Sequence, residues 1–138
     1  MNNPICPYCE NESKKCTGLE IFPERKDLMD KIFYRCISCD AHVGCHPGTD
    51  KPLGSLADSN LRSLRSKLHS IFDPLWKEGI WGTRRQAYLK LSYLLGIELN
   101  ECHIGKFNVD QCKKAMIIIE TIINIINAKL IMLMHIYT

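Results

Sequence analysis

Two Cys-x-x-Cys pairs, Cys6-Pro-Tyr-Cys9 and Cys36-Ile-Ser-Cys39, stand 26 residues apart near the start of the chain. Each such turn aims two sulfurs at one point, and two turns complete a tetrahedron around zinc. With four protein thiolates the coordination sphere is closed, so the ion is expected to be single and structural, with no position left for water or substrate. It would hold together a lobe too small for a core of its own.

More potential ligands follow than one zinc can use. Cys45-His46 and Cys102-His103 are two Cys-His dipeptides, and Cys16, His42, His69 and Cys112 stand apart from them. The dipeptides could converge on a second metal. The favoured reading makes Cys45 and Cys102 small buried hydrophobes, the usual fate of free cysteines. No further Cys-x-x-Cys or His-x₃-His spacing supports the second metal.

A second chemical pattern lies downstream. Arg62, Arg65, His69 and Asp73 step by three, four and four, which places them on one side of a helix, and Trp76 extends the row. Such a row could grip a phosphate and carry a proton-transfer group. It could also be a ladder of ion pairs on a solvated helix. From Ser59 to Lys90 there are seven basic residues against two acids, an excess larger than the net +3 of the whole chain. A basic middle suits an acidic partner, nucleic acid above all.

The elements that must position these residues are legible in outline. "CTGLEIF", "KIFYRC" and "DAHVGC" read as short strands between and after the knuckles, and "HPGTDKPLG" as a loop. Asp58 should cap a helix over residues 59–72, with Leu61, Leu64, Leu68, Ile71 and Leu75 facing a core. Asp73-Pro74 looks like a second helix start, ending near Gly79. Thr83 should cap another helix ending at Gly96, with Ala87, Leu91 and Leu94 inward. Asn108 and Gln111 resemble a capping box for a last helix. In that helix Val109, Cys112, Met116, Ile119, Ile123, Ile126, Leu130 and Leu133 form an unbroken heptad seam, with further isoleucines off it.

The expected fold class is therefore α+β. Residues 1–50 would form a Cys₄ zinc ribbon of short antiparallel strands. Residues 51–107 would form a helical body with the basic, polar row. Residues 108–138 would form a long apolar helix, buried in the core or against a second copy in a homodimer. Glu120, Asn124, Asn127 and Lys129 interrupt the tail. A charge near the bilayer centre costs about 2.5–3.5 kcal/mol on insertion scales, so no membrane role is expected. Charged residues are 24% and apolar residues 46%, which suits a packed globule rather than a disordered chain. The first residues lack a basic segment followed by an apolar one, so the cysteines are expected reduced, in the cytosol.

"CPYCENES", "FYRCISCDAHVGCH", "GTDKPLGSLADSNLRSLRSKLHSIFDPLW", "AYLKLSYLLGI" and "CHIGKFNVDQC" together resemble a small zinc-finger-containing family carried by bacteriophages and prophages, catalogued as a domain of unknown function. The resemblance runs from about Cys6 to Cys112. It implies a Cys₄ lobe followed by helices, a phage origin and hence the host bacterial cytosol. It singles out Gly44, Cys45, His46, Arg62, Arg65, His69, Asp73, Trp76 and His103, and suggests counter-defence, including anti-CRISPR activity, as a class of role.

Two functions are compatible with these residues. In one, the ribbon and basic helix bind RNA, a ribonucleoprotein or a host defence protein and inhibit by occupancy, with Arg62, Arg65, Asp73 and Trp76 at the contact. In the other, the chain is a small ribonuclease in which His46, His69 and His103 supply acid and base while Arg62 and Arg65 hold the scissile phosphate.

Overall fold

The computed structural model describes residues 2–137. The chain divides into two compact units, Met1–Ser63 and Leu64–Thr138.

The first unit is built on a three-stranded antiparallel sheet in sequence order, β1 (Lys14–Thr17), β2 (Ile32–Cys36) and β3 (Ala41–Gly44). Lys15 pairs with Tyr34 and Tyr34 with Val43, which fixes the register across all three strands. The core face carries Tyr34, Cys36, Ala41 and Val43, packed with Cys6 and Leu56. The loop after β3 turns back beside it: the Leu53 amide donates to the Gly44 carbonyl (2.9 Å), and His42 and Ala57 exchange backbone hydrogen bonds (3.1 and 3.0 Å). Tyr34 anchors this loop through its hydroxyl, which donates to the Asp50 carbonyl (2.7 Å).

The run "CTGLEIF" is not a single strand. Its first two residues end β1, and the short helix α1 (Gly18–Ile21) takes over. The switch falls at Gly18, whose amide bonds the Lys31 carbonyl (2.9 Å). A Cβ there would overlap the carbonyl oxygen of Leu28, so only glycine lets the two backbones approach.

Helix α2 (Ser59–Lys77) starts where expected, with the Leu61 amide bonded to the Asp58 carboxylate (2.9 Å). It does not restart at Asp73-Pro74: Pro74 lies inside one continuous helix. Proline removes one backbone donor, but the turn around it is held by burial. Phe72 and Leu75 are almost fully enclosed and the Glu78 amide still reaches the Pro74 carbonyl (2.9 Å).

The second unit packs most of α2, α3 (Arg84–Leu95) and the first half of α4 (Val109–Tyr137) around Leu68, Phe72, Leu91, Ile104, Phe107 and Ile119. Thr83 and Gln86 form the capping box of α3, and Gly96 closes it at φ 69°. Asn108 and Gln111 exchange the same pair of bonds at the start of α4 (3.0 and 2.8 Å). Ala87 and Leu91 face inward, but Leu94 is exposed, and Tyr88 and Ser92 are buried in its stead. On α4, Cys112, Ala115 and Ile119 are buried, while every residue from Asn127 to Tyr137 is exposed.

Gly18→Ala should destabilise the first unit by about 1–3 kcal/mol, the usual cost of forced overpacking. Chemical denaturation followed by far-ultraviolet circular dichroism measures the difference.

Candidate functional site

The two knuckles are built alike. In the first, the Glu10 amide bonds the Cys6 carbonyl (2.8 Å) and the Cys6 amide bonds the Asn11 carbonyl (2.8 Å). The second is the β2–β3 hairpin, in which Cys36 pairs with Ala41. The residue after the second cysteine of each pair, Glu10 or Asp40, has positive φ (63° and 50°). This reverses the chain so that both thiols of each pair point the same way.

The Sγ atoms of Cys6, Cys9, Cys36 and Cys39 all lie within 4.8 Å of one another, with Cys9 and Cys36 at 3.6 Å. A zinc ion about 2.3 Å from four sulfurs sets them about 3.8 Å apart, so the donor set and its spacing fit Zn²⁺. The protonation chemistry of the cluster points the same way. The Ser38 hydroxyl and the Cys39 amide hold the Cys36 thiol down at about 6. Desolvation and the three facing thiols push Cys39 up to about 12. Once Cys36 ionises, Cys39 resists ionising, and four thiolates packed this closely call for a cation between them. The site therefore holds one structural Zn²⁺, supplied by Cys6, Cys9, Cys36 and Cys39.

Among the described residues these four cysteines are the one group arranged to hold a metal. Cys45 lies against the core of the first unit, and burial raises its thiol. Cys102 and Cys112 are buried in the second unit, and burial pushes the Cys102 thiol up to about 11.

His42 is the buried titratable group beside this site. Its ring stands edge-on to Phe22 and Phe33 (5.5 and 5.9 Å). Burial, followed by the nearby Arg62 charge, drives its pKa from 6.5 down to about 4.

The row predicted on α2 is described in two parts, because Arg62 belongs to the first unit and the others to the second. Arg62 Nη1 donates to the Ala57 carbonyl (2.6 Å). Arg65 Nε and Nη2 both donate to the Phe107 carbonyl (3.1 and 2.8 Å), tying α2 to the segment before α4. Asp73 Oδ1 takes two partners, His69 Nδ1 (3.2 Å) and the Trp76 indole N–H (3.2 Å). Lys77 covers the Trp76 ring at 5.6 Å. His103 stacks on Tyr88 (5.7 Å, 10° between planes), and its Nδ1 accepts from the Gly105 amide (3.2 Å). His46 is exposed on the loop of the first unit, and His69 and His103 lie in the second. Tyr88, which sequence reasoning passed over, contacts Phe72, His103 and Arg84. Its place on the inner face of α3, one residue after Ala87, was the available signal.

Paired thiolate knuckles on a three-stranded antiparallel sheet, with every coordination position taken by protein, define a zinc-ribbon protein with a structural metal. The chain belongs to the family described as a zinc-finger-containing domain of unknown function, whose model matches residues 2–122. The match extends past Cys112 into α4, further than the motifs alone indicated. No curated protein and no solved structure matches the chain.

Metal analysis of the purified protein should return one zinc per chain, and Cys36→Ser should lose the metal and unfold the first unit, because binding energy here is folding energy. A second prediction concerns acid. His42 is depressed in the folded state, so its stabilising contribution is complete above the unfolded value near 6.5 and is lost as pH falls from 6.5 toward 4. In acid titrations of stability, His42→Phe should flatten this part of the profile; an identical slope in both proteins would exclude the effect.

Proposed function

We propose that the chain is a binding module that docks on RNA, free or within a ribonucleoprotein, through the basic surface of α2 and α3. One observation carries this reading. Lys67, Lys77, Arg84, Arg85 and Lys90 are exposed, and none of them pairs with a carboxylate among the described residues. Of the two acids in this stretch, Asp73 is taken by His69 and Trp76, and Glu78 neutralises none of the cations. Cations left unpaired on one unit are what a polyanion neutralises on binding. Trp76 beneath Lys77, with Arg65 and Asp73 on the same helix, provides an aromatic and polar border, and single strands use aromatic faces for stacking. The closed zinc contributes folding, not chemistry. For a module carried by a phage, inhibition by occupancy of a host ribonucleoprotein or another defence protein is the counter-defence role; that part of the reading rests on resemblance.

A ribonuclease is the second reading, and the His69–Asp73 contact favours it. A carboxylate that accepts Nδ1–H leaves Nε2 as the base, the arrangement of an oriented general base. His69 is 40% exposed, so its ring can meet a substrate. In that reading His103 and Arg65, which lie in the same unit as His69, would supply the acid and the phosphate contact.

Fluorescence anisotropy with a single-stranded RNA, at rising salt, tests both. Binding should weaken as salt rises, with a slope of about 0.7 per phosphate contact on a log–log plot. Arg84→Ala and Arg85→Ala should each lower that slope at unchanged melting temperature. His69→Ala should keep binding if the module only binds. If it also cleaves, His69→Ala should keep binding and lose turnover by about 10²–10⁴-fold. Salt-independent binding, or none, would discard the RNA reading.

A further inference from the structure

The second unit carries two apolar surfaces that stand exposed among the described residues. The first is the outer half of α4. Its seam is buried at Ile119 and half-buried at Ile123 and Ile126. It then continues as Leu130, Leu133 and Tyr137, which are 53%, 50% and 85% exposed. The helix is long and apolar enough by length and composition to cross a membrane. The second surface is an open groove of about 990 Å³ along the outer side of α3, lined by Leu89, Tyr93, Leu94, Ile97 and Leu99, with Ile122 of α4 at its edge. Lys90 and Glu98 stand among its lining residues.

We propose that the occupant of this groove is the outer half of α4 from a second copy of the chain, so that two copies clasp each other reciprocally around a two-fold axis. Such an interface is isologous and closes on itself, which leaves no exposed apolar end to propagate. Three features select a second copy over a lipid surface.

The first is area. Residues 123–137 form about 22 Å of helix, and half the surface of a cylinder about 10 Å wide and that long is about 350 Å². Counting both tails and both grooves, the interface is about 1,400 Å², inside the range of about 1,200–2,000 Å² for specific complexes.

The second is polarity. Glu120, Asn124 and Asn127 step by four and three, so they line one side of the helix, about a third of a turn round from Ile119, Ile126 and Leu133. A groove covers one side and leaves the other in water; a bilayer would bury both. The third is charge. Glu98 in the groove and Lys129 on the tail are both exposed and have no ion-pair partner among the described residues. Burying the apolar seam in the groove brings an acid and a base of opposite copies to one rim.

Sedimentation velocity on the full zinc-loaded chain tests this directly. The wild-type protein should be a dimer at micromolar concentration. Leu133→Glu on the tail and Leu89→Glu in the groove should each give monomers with an unchanged circular dichroism spectrum and zinc content, since both positions are exposed in the single chain. Glu98→Lys and Lys129→Glu should each weaken association by about 5-fold, and the double reversal should restore it. A monomer at all concentrations would overturn the proposal. So would a dimer lost with Leu133→Glu but indifferent to Leu89→Glu, because the tails would then pair with each other. Failure of the double reversal to rescue association would remove the Glu98–Lys129 register. Flotation of the wild-type chain, but not Leu133→Glu, with phosphatidylcholine–phosphatidylglycerol vesicles would assign the tail to lipid instead.

Discussion

Four thiolates brought within contact distance repel one another unless a divalent cation stands between them, and the first unit is organised around that fact. Its sheet has three strands of four or five residues, and its core is small. A lobe of this size buries too little apolar surface to offset the entropy of ordering its chain. Zinc joins the hairpin at Cys6 and Cys9 to the hairpin at Cys36 and Cys39, and everything between them inherits that closure. Gly18 can press against Leu28, Tyr34 can hold the Asp50 loop, and His42 can stay neutral between Phe22 and Phe33.

The second unit is held by other means. Phe72, Tyr88 and Phe107 are the bulk of its interior, and the Arg65 guanidinium fastens a helix to a backbone carbonyl. Its polar residues are divided between structure and solvent. Asp73 joins His69 and Trp76, while Lys67, Lys77, Arg84, Arg85 and Lys90 are exposed without carboxylates among the described residues. Because the metal has no open position, any activity of the chain belongs to such surfaces. The two proposed roles are both surface functions and meet at one residue: the exposed cations of α2 and α3 would serve one, the α4 seam and the groove the other, and Lys90 belongs to both surfaces.

The parts of the fold legible in the sequence are those governed by local chemistry. Cys-x-x-Cys turns aim their own thiols, Asp58, Thr83 and Asn108 cap the amides next to them, and Gly96 takes the left-handed conformation that ends α3. Each depends on neighbours within a few residues. Pro74 shows the limit. Sequence reasoning stops a helix at proline because a donor is lost, yet burial of Phe72 and Leu75 outweighs that loss. Leu94 shows the same limit from the other side, because helical spacing marks a face without stating how far the neighbouring helix reaches to cover it.

By itself the sequence determined the ligand set of the zinc, the antiparallel ribbon that carries it, the helix boundaries set by caps, and the heptad period of the last helix. All of these follow from residue type and short-range spacing. Only the tertiary structure decided which of the surplus polar groups meet. It joined His69 to Asp73 and Trp76, set His103 on Tyr88, spent Arg62 and Arg65 on carbonyls, and left the end of α4 uncovered beside an apolar groove. Those outcomes depend on packing between segments far apart in the chain. No local rule encodes that packing, because the free energy of burial accrues only when the distant surfaces come together.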